Sequence, residues 1–374
     1  MNYHFTLDGA IQELKKSLRE EKYEHALLLC NGVLKYDPSN KFVKKSKKKI
    51  QQFLSSKPTN HVNQLMALQR KFHEGLYDDV IYECELIINS GQNSSDIYNL
   101  YGSAFKETGN FDRAIDAFNE SIKLDRNNFV AFLNKGIIYY NSKNYNKAKK
   151  YLQESLKINP ENFFGNFAMA SVLQHSIENL SIDQHVDVLN SSVEFYEKAL
   201  KLDPTFLNLY SNYGNVLMLI GELKKAKLIF LQGLKIEPHN SILTYNLANL
   251  YEREKDYDKA ISFFSKTIKN NPKYYQAHNN LATLLLKHKK KYNLSLYHYN
   301  QAISLNRDSD YLSNKASLLE EMGELGSAFT AINESLKINN KNSKAYYNKG
   351  KILERMGEIK SSVTAYERSI EIDP

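Results

Sequence analysis

A row of asparagine side chains is the clearest sign of chemistry in this chain of 374 residues. Six asparagines share one place, two residues before a small glycine or alanine: Asn134, Asn212, Asn246, Asn280, Asn314 and Asn348. The last five recur every 34 residues, and Asn215 and Asn249 follow one helical turn further on. Because an amide offers both a donor and an acceptor, it can bind the backbone of an extended peptide. The row therefore predicts a peptide-binding surface, although the same amides could instead bond only to neighbouring backbone.

Motifs for other kinds of chemistry are missing from the sequence. It has no GxxxxGK[ST], no HExxH and no GxSxG, and its histidines are scattered. His278 and His288 are ten residues apart, a spacing that does not put them on one face of a helix. His175 and His185 flank a polar stretch without a cysteine or histidine partner at ligand spacing. We predict no enzyme activity, no cofactor and no metal within these residues.

The asparagines lie in a repeated pattern, which is clearest from Leu207 to Tyr274. This stretch is two copies of one 34-residue segment, and each copy has two runs of apolar residues spaced three or four apart. That spacing predicts two short helices per copy. Small residues such as Gly214 and Ala226 allow the two helices to approach closely. Gly221 predicts the turn between them, and Pro238 predicts the end of the second helix.

The order of these residues resembles the tetratricopeptide pattern, in which W-x2-L-G-x2-Y is followed by A-x3-F and then by proline. Tyr210 and Thr244 stand where tryptophan is usual in that family. The resemblance implies an all-α fold, a right-handed superhelical solenoid of stacked helix-turn-helix repeats that binds proteins or peptides in its concave groove. The asparagine row resembles the ladder of the protein O-linked N-acetylglucosamine transferase family. It covers residues 129–350 and is broken at Ala168.

The repeats predict two regions along the chain. Residues 1–94 read as degenerate repeats, with a basic linker helix at 41–57 that carries Phe42, Val43 and Ile50 on one side. Residues 95–374 read as a regular array of eight repeats. One of them, 163–206, is enlarged by ten residues, which we place in a long polar turn between its two helices. The repeat after Tyr274 has one extra residue, which we place in its lysine-rich turn.

Composition says more about the partners and the cellular compartment of the protein than about its function. The formal net charge is +8, which weakly favours acidic partners. The lysines of residues 41–57 are best explained as a solvated face, and nucleic acid is an unlikely partner because few aromatics are interleaved with them. Cys30 and Cys84 fall on apolar faces and suggest buried thiols in a reducing, cytoplasmic compartment. Neither a signal peptide nor a run of 18 apolar residues is present.

The sequence leaves two function hypotheses open. In the first, the chain is a protein–protein interaction scaffold that binds an extended peptide, and its uncapped last repeat leads to self-association. In the second, it is the substrate-recruiting region of a larger transferase that continues past Pro374. Bacterial proteins in which such repeats precede a sugar-transferase or sulfotransferase domain show a similar arrangement. The length of the native polypeptide distinguishes the two.

Overall fold

The structure is a computed structural model that describes residues 7–19, 23–56, 61–177 and 182–373. Within these ranges it contains 21 α-helices and no strand, so the predicted all-α class is confirmed. The chain forms two compact units, residues 1–202 and 203–374. The region boundary predicted after residue 94 stays a prediction. In the described part of the chain, no helix is both long and apolar enough to cross a membrane.

Most successive helices pair as hairpins, and neighbouring hairpins are in contact within each unit. In the N-terminal unit the helices are α1 (Leu7–Arg19), α2 (Tyr23–Tyr36), α3 (Lys41–Ser56), α4 (His61–His73), α5 (Tyr77–Asn89), α6 (Ser95–Glu107), α7 (Phe111–Leu124), α8 (Phe129–Asn141), α9 (Tyr145–Ile158), α10 (Phe163–His175) and α11 (Ile182–Leu202). In the C-terminal unit they are α12 (Leu207–Leu219), α13 (Leu223–Ile236), α14 (Ser241–Arg253), α15 (Tyr257–Asn270), α16 (Tyr275–Lys289), α17 (Tyr292–Leu305), α18 (Ser309–Glu321), α19 (Leu325–Ile338), α20 (Ser343–Arg355) and α21 (Ile359–Ile372).

Turn and cap residues set the ends of these helices. Gly221 has φ +90°, which confirms the predicted turn between α12 and α13. Helix α13 ends at Ile236, two residues before Pro238, as the restriction on residues preceding proline requires. The side chain of Asn240 then accepts hydrogen bonds from the backbone of Ile242 and Leu243 and so caps α14. Most repeats use an asparagine, an aspartate or a serine in this way.

The two helices of a repeat meet at a glycine or an alanine. A Cβ added to Gly214 would lie only 2.2 Å from Cε1 of Phe230. Gly350 stands in the same relation to Tyr366 in the last repeat. The predicted close approach is therefore present. A second link is polar, since the hydroxyl of Ser335 donates to the carbonyl of Ser309 at 2.7 Å, from the second helix to the first.

The helices before Ser95 follow the prediction in part. Cys30 and Cys84 are buried and free, as expected, and burial raises the pKa of both thiols, to about 11 and about 12. In α3, Val43 and Ile50 are buried. Phe42, predicted on the same apolar side, is instead 44% exposed, and the Lys15 ammonium lies 5.7 Å from its ring centroid. Phe42 precedes Val43 by one residue, a step of about 100° around the helix that carries it to the edge of the buried stripe.

Both predicted turn insertions are wrong in detail. In the enlarged repeat, residues 182–191 are helical, so α11 has 21 residues where the other second helices have 13 or 14. Residues 178–181 of the predicted turn lie outside the described residues, as do Pro58 and Pro374. After Tyr274 the extra residue lies in α16, which has 15 residues instead of 13. Only Lys290 and Lys291 remain between α16 and α17.

Candidate peptide-binding site

Every asparagine of the predicted row lies on the first helix of a repeat. Asn134 lies on α8 in the N-terminal unit, and the other seven are in the C-terminal unit. These seven are Asn212 and Asn215 on α12, Asn246 and Asn249 on α14, Asn280 on α16, Asn314 on α18 and Asn348 on α20. First helices of adjacent repeats are neighbours, since α12 contacts α14 and α18 contacts both α16 and α20. The prediction that the row follows aligned first helices agrees with this arrangement.

The amides of the later repeats join one first helix to the one before it. Asn280 Nδ2 donates to the hydroxyl of Tyr245 at 3.2 Å and to Asn249 Oδ1 at 3.4 Å. Asn314 Nδ2 donates to Asn279 Oδ1 at 3.0 Å.

The pattern continues at both ends of the row. Asn348 Nδ2 donates to Ser313 Oγ at 3.0 Å. In the N-terminal unit, Asn134 Oδ1 accepts from Lys106 Nζ at 3.0 Å. Several of these amides therefore form hydrogen bonds between repeats. Most of their partners are side chains, whereas the sequence suggested neighbouring backbone groups.

Asn246 differs from the rest of the row. Its side chain is 7% exposed, and its Nδ2 has no hydrogen-bond partner among the described residues. A buried amide without a partner costs about 1–3 kcal/mol. Asn134 and Asn348 are also buried, each at 8% exposure, while Asn212 and Asn215 are half-buried. The row is thus less open than the sequence suggested, and it contains one unsatisfied donor group.

A polar cavity of about 300 Å³ adjoins the end of the row in the C-terminal unit. Asn314 and Asn348 line it together with Asn279, Lys287 and Lys344. The Lys344 ammonium donates to Asn314 Oδ1 at 2.8 Å, which leaves an exposed cation at the edge of the row. Asn279 and Lys344 are not among the residues predicted from the sequence. Asn279 is adjacent to Asn280, and Lys344 lies one helical turn before Asn348, so their proximity to the row was the available signal.

Burial raises the pKa of two groups near Asn249 and Asn280. Burial raises the pKa of Tyr245, so this hydroxyl stays protonated and can accept from Asn280 while donating its own hydrogen. Burial also raises the pKa of Glu252 on α14, against the opposing effect of Lys287. Burial near the row therefore disfavours the charged forms of Tyr245 and Glu252.

The histidines do not form a metal site in the described residues, where no group of three or more histidine, cysteine, aspartate or glutamate side chains could hold an ion. His175 Nδ1 lies 2.8 Å from the carbonyl oxygen of Ser171 and 3.4 Å from the hydroxyl of Tyr140. His185 lies beyond the undescribed residues 178–181, on α11.

Comparison with known proteins agrees with this architecture. Models of the tetratricopeptide repeat match five segments, at residues 95–128, 129–162, 195–227, 243–274 and 343–374. The chain is a tetratricopeptide-repeat protein, as the residue pattern predicted. Repeats of this kind indicate a protein-interaction scaffold. The resemblance of the asparagine row to the O-linked N-acetylglucosamine transferase ladder stays a prediction.

Relatives and solved structures share the repeats over part of their length. A TPR repeat-containing protein of Methanocaldococcus jannaschii is 27% identical over 297 residues, which are 73% of this chain and 49% of that protein. A protein O-mannosyl-transferase of Homo sapiens is 24% identical over 200 residues, which are 52% of this chain and 22% of that protein. The chain therefore spans half or less of these relatives. A tetratricopeptide repeat protein from Parabacteroides merdae superposes with a TM-score of 0.51 at 19% identity, over 66% of this chain and 93% of that one, and shows the same fold.

Proposed function

We propose that the chain binds an extended segment of another protein along the first helices of its C-terminal unit. The observation that carries the proposal is Asn246, whose buried Nδ2 has no partner in the row that continues through Asn280 to Asn314. A peptide carbonyl that displaces the side chains covering Nδ2 would supply the missing acceptor and remove the cost of leaving the amide unpaired. The cavity at Asn314 and Asn348 supports the proposal with room for a chain beside the row.

The test compares variants of the row against short synthetic peptides of random sequence displayed on an array. Asn246→Ala removes no hydrogen bond from the free protein, so its stability should be unchanged or slightly higher. Combined with Asn280→Ala, it should weaken binding of the best array peptide about tenfold, measured by fluorescence anisotropy. Asn300→Ala, on the exposed face of α17, is the matched control and should bind as the unmodified protein does.

Either of two results would overturn the proposal. One is an array on which no peptide binds above background. The other is a double variant that keeps the original affinity while its circular dichroism shows an intact fold. A loss of affinity in Asn300→Ala as large as in the double variant would also count against the row, because it would mean that binding does not depend on these amides.

The proposal also covers the cellular compartment and the oligomeric state of the protein. The two buried, unpaired thiols support a cytoplasmic location, and we propose no partnership with nucleic acid for the lysines of α3. Self-association through the last repeat is supported by α21, which exposes Ile359, Val363 and Ile370 at 58%, 50% and 63%. Sedimentation velocity over a range of concentrations would detect it.

A second candidate is the substrate-recruiting region of a larger transferase. Its support is the partial match to a protein named as an O-mannosyl-transferase, of which this chain covers 22%. We propose no reaction for the residues of this chain itself. The intact mass of the native protein decides between the candidates: a mass near 43.2 kDa disfavours the transferase, and a clearly larger one requires sequencing of the added region.

A further inference from the structure

Lys135 on α8 is buried, at 4% exposure, whereas the lysines at the same place in the last two repeats, Lys315 and Lys349, are only half-buried. In other repeats this place holds apolar side chains such as Tyr213 and Leu247, which are 4% and 0% exposed. The burial of a charged ammonium is costly unless a partner compensates it.

The compensation within the chain is small. Lys135 Nζ donates to Asn119 Oδ1 at 2.6 Å and lies 4.0 Å from the ring centroid of Tyr151. These contacts with an amide oxygen and an aromatic face use only some of the three N–H groups of the ammonium. Among the described residues no carboxylate forms an ion pair with it. The ammonium is therefore a buried positive charge without a counter-ion.

This ammonium borders a cavity of about 790 Å³ between the hairpins α6–α7 and α8–α9. Five aromatic rings line the cavity: Tyr98, Tyr101, Phe105, Phe132 and Tyr151. The volume is that of sites for small molecules, and aromatic walls with one charged group are typical of such sites. All of these residues belong to the N-terminal unit, so the cavity is independent of the asparagine row proposed above.

The other charges around the cavity largely neutralise one another. Arg113 forms an ion pair with Glu85 at 2.8 Å, and Lys123 pairs with Glu120. Asp116 is exposed and acts electrostatically on Lys123. With Glu85 included, three cations and three carboxylates surround the cavity, and Lys135 and Asp116 form no ion pair among the described residues. An anion beside Lys135 would supply the ion pair that this buried ammonium lacks.

We propose that the cavity between α6–α7 and α8–α9 is a binding site for an aromatic carboxylate, with the carboxylate paired to Lys135 and the ring against the aromatic walls. The carboxylate completes the ion pair that the chain lacks. The same chemistry is found in a free aromatic acid and in the C-terminal phenylalanine or tyrosine of a peptide.

The test uses two probes, N-acetyl-phenylalanine and a pentapeptide that ends in phenylalanine with a free carboxyl group. Saturation-transfer NMR titrations measure their affinities for the full chain. Both N-acetyl-phenylalanine and the peptide should lose about tenfold or more in affinity when the carboxyl group is replaced by an amide. Tighter binding of the pentapeptide identifies a protein C-terminus as the source, and tighter binding of the small acid identifies a free molecule.

Lys135→Met should abolish the preference for the acid over the amide and leave the free protein as stable or more stable. Lys349→Met is the matched control, because Lys349 has the same place in the last repeat and lies outside this cavity. It should keep the preference. If Lys135→Met loses its helical circular dichroism, the acid-against-amide comparison on the unmodified chain decides alone.

Three results overturn the inference. The first is that neither acid binds up to its solubility limit. The second is that the amides bind as tightly as the acids. The third is that folded Lys135→Met keeps the affinity of the unmodified chain. An equal loss in Lys349→Met has the same meaning, because it would show a general attraction of anions to a basic protein.

Discussion

Gly214 shows how one missing methyl group sets the distance between two helices of a repeat. Its Cβ would meet the ring of Phe230, and both residues are enclosed between α12 and α13. Because Phe230 is fully buried, its ring has little room to move away. The pair is a steric match between a gap on one helix and a ring on the other.

We therefore expect Gly214→Ala to lower the free energy of unfolding by about 2 kcal/mol, measured by urea denaturation. Gly326→Ala is the control, because this helical glycine on α19 has no atom within 4 Å of an added Cβ. It should raise stability by about 0.5–1 kcal/mol through the higher helix propensity of alanine. Equal effects of the two substitutions would mean that propensity, and not the contact with Phe230, dominates.

At the scale of elements, a histidine pair joins α16 to α17. His278 Nε2 lies 3.1 Å from the carbonyl oxygen of Pro272, and its Nδ1 lies 3.0 Å from His298 Nδ1. The carbonyl can only accept, so Nε2 of His278 carries a hydrogen. Neutral His278 then accepts at Nδ1 from His298. Protonation of His278 at Nδ1 would place two N–H groups against each other and break this link.

The pair predicts a loss of stability in acid. Burial lowers the pKa of His278, and burial together with the charge of His278 lowers the pKa of His298 to about 4. Both folded-state values lie below the ordinary 6.5, so the unfolded chain binds protons first. The stabilisation is complete above pH 6.5 and is lost as the pH falls toward 4, by about 2 kcal/mol.

Unfolding in urea at several pH values between these limits measures the effect. The comparison variant, His278→Tyr with His298→Phe, copies Tyr210 and Phe263, which stand at the same places in other repeats. Tyr210 shows that a tyrosine hydroxyl there can donate to the proline carbonyl, at 2.6 Å to Pro204. The variant should lose less stability in acid than the unmodified chain. Parallel pH profiles would contradict the role of the pair.

Helix α11 includes residues that the sequence pattern predicts to be a turn. Residues 182–191 are largely polar, and this polarity predicts a turn. Leu189, Ser192 and Tyr196 are nevertheless buried at helical spacing, and Val188 packs on the core around Met169. The signal was present in the spacing, but the polar residues between these positions concealed it.

At the scale of the whole molecule, the repeats predict that stability is local. Each hairpin packs mainly on its neighbours in the chain, as in other solenoids. We expect residues 203–374, expressed alone, to keep a helical circular dichroism spectrum and a cooperative thermal transition. Residues 223–374 are the control, since they lack α12 and leave the buried face of α13 uncovered. A disordered first fragment would show that the unit needs more of the chain. Two fragments of equal stability would show that α12 does not stabilise the rest of the unit.

The sequence by itself determined the repeat, the helical hairpins and the small residues at their contacts. These features are local, because a helix, its turn glycine and its closing proline are set by residues within one period of 34. The small residues Gly214 and Ala226 and the glycine turn at Gly221 could be predicted for that reason, while the ring that fills the gap at Gly214, Phe230, was identified by the structure. The row of asparagines was visible in the same way, as a place in the repeat.

Only the tertiary structure decided what the polar groups contact. Among the described residues, Asn246 Nδ2 is left without a hydrogen-bond partner, while Asn280 bonds to Tyr245, although both occupy the same place in the repeat. Lys135 is buried without an ion pair in that part of the chain, which becomes evident only when α6, α7 and α9 surround it. Hydrogen bonds and ion pairs depend on distances of a few tenths of an ångström between different helices, and a one-dimensional pattern does not contain those distances.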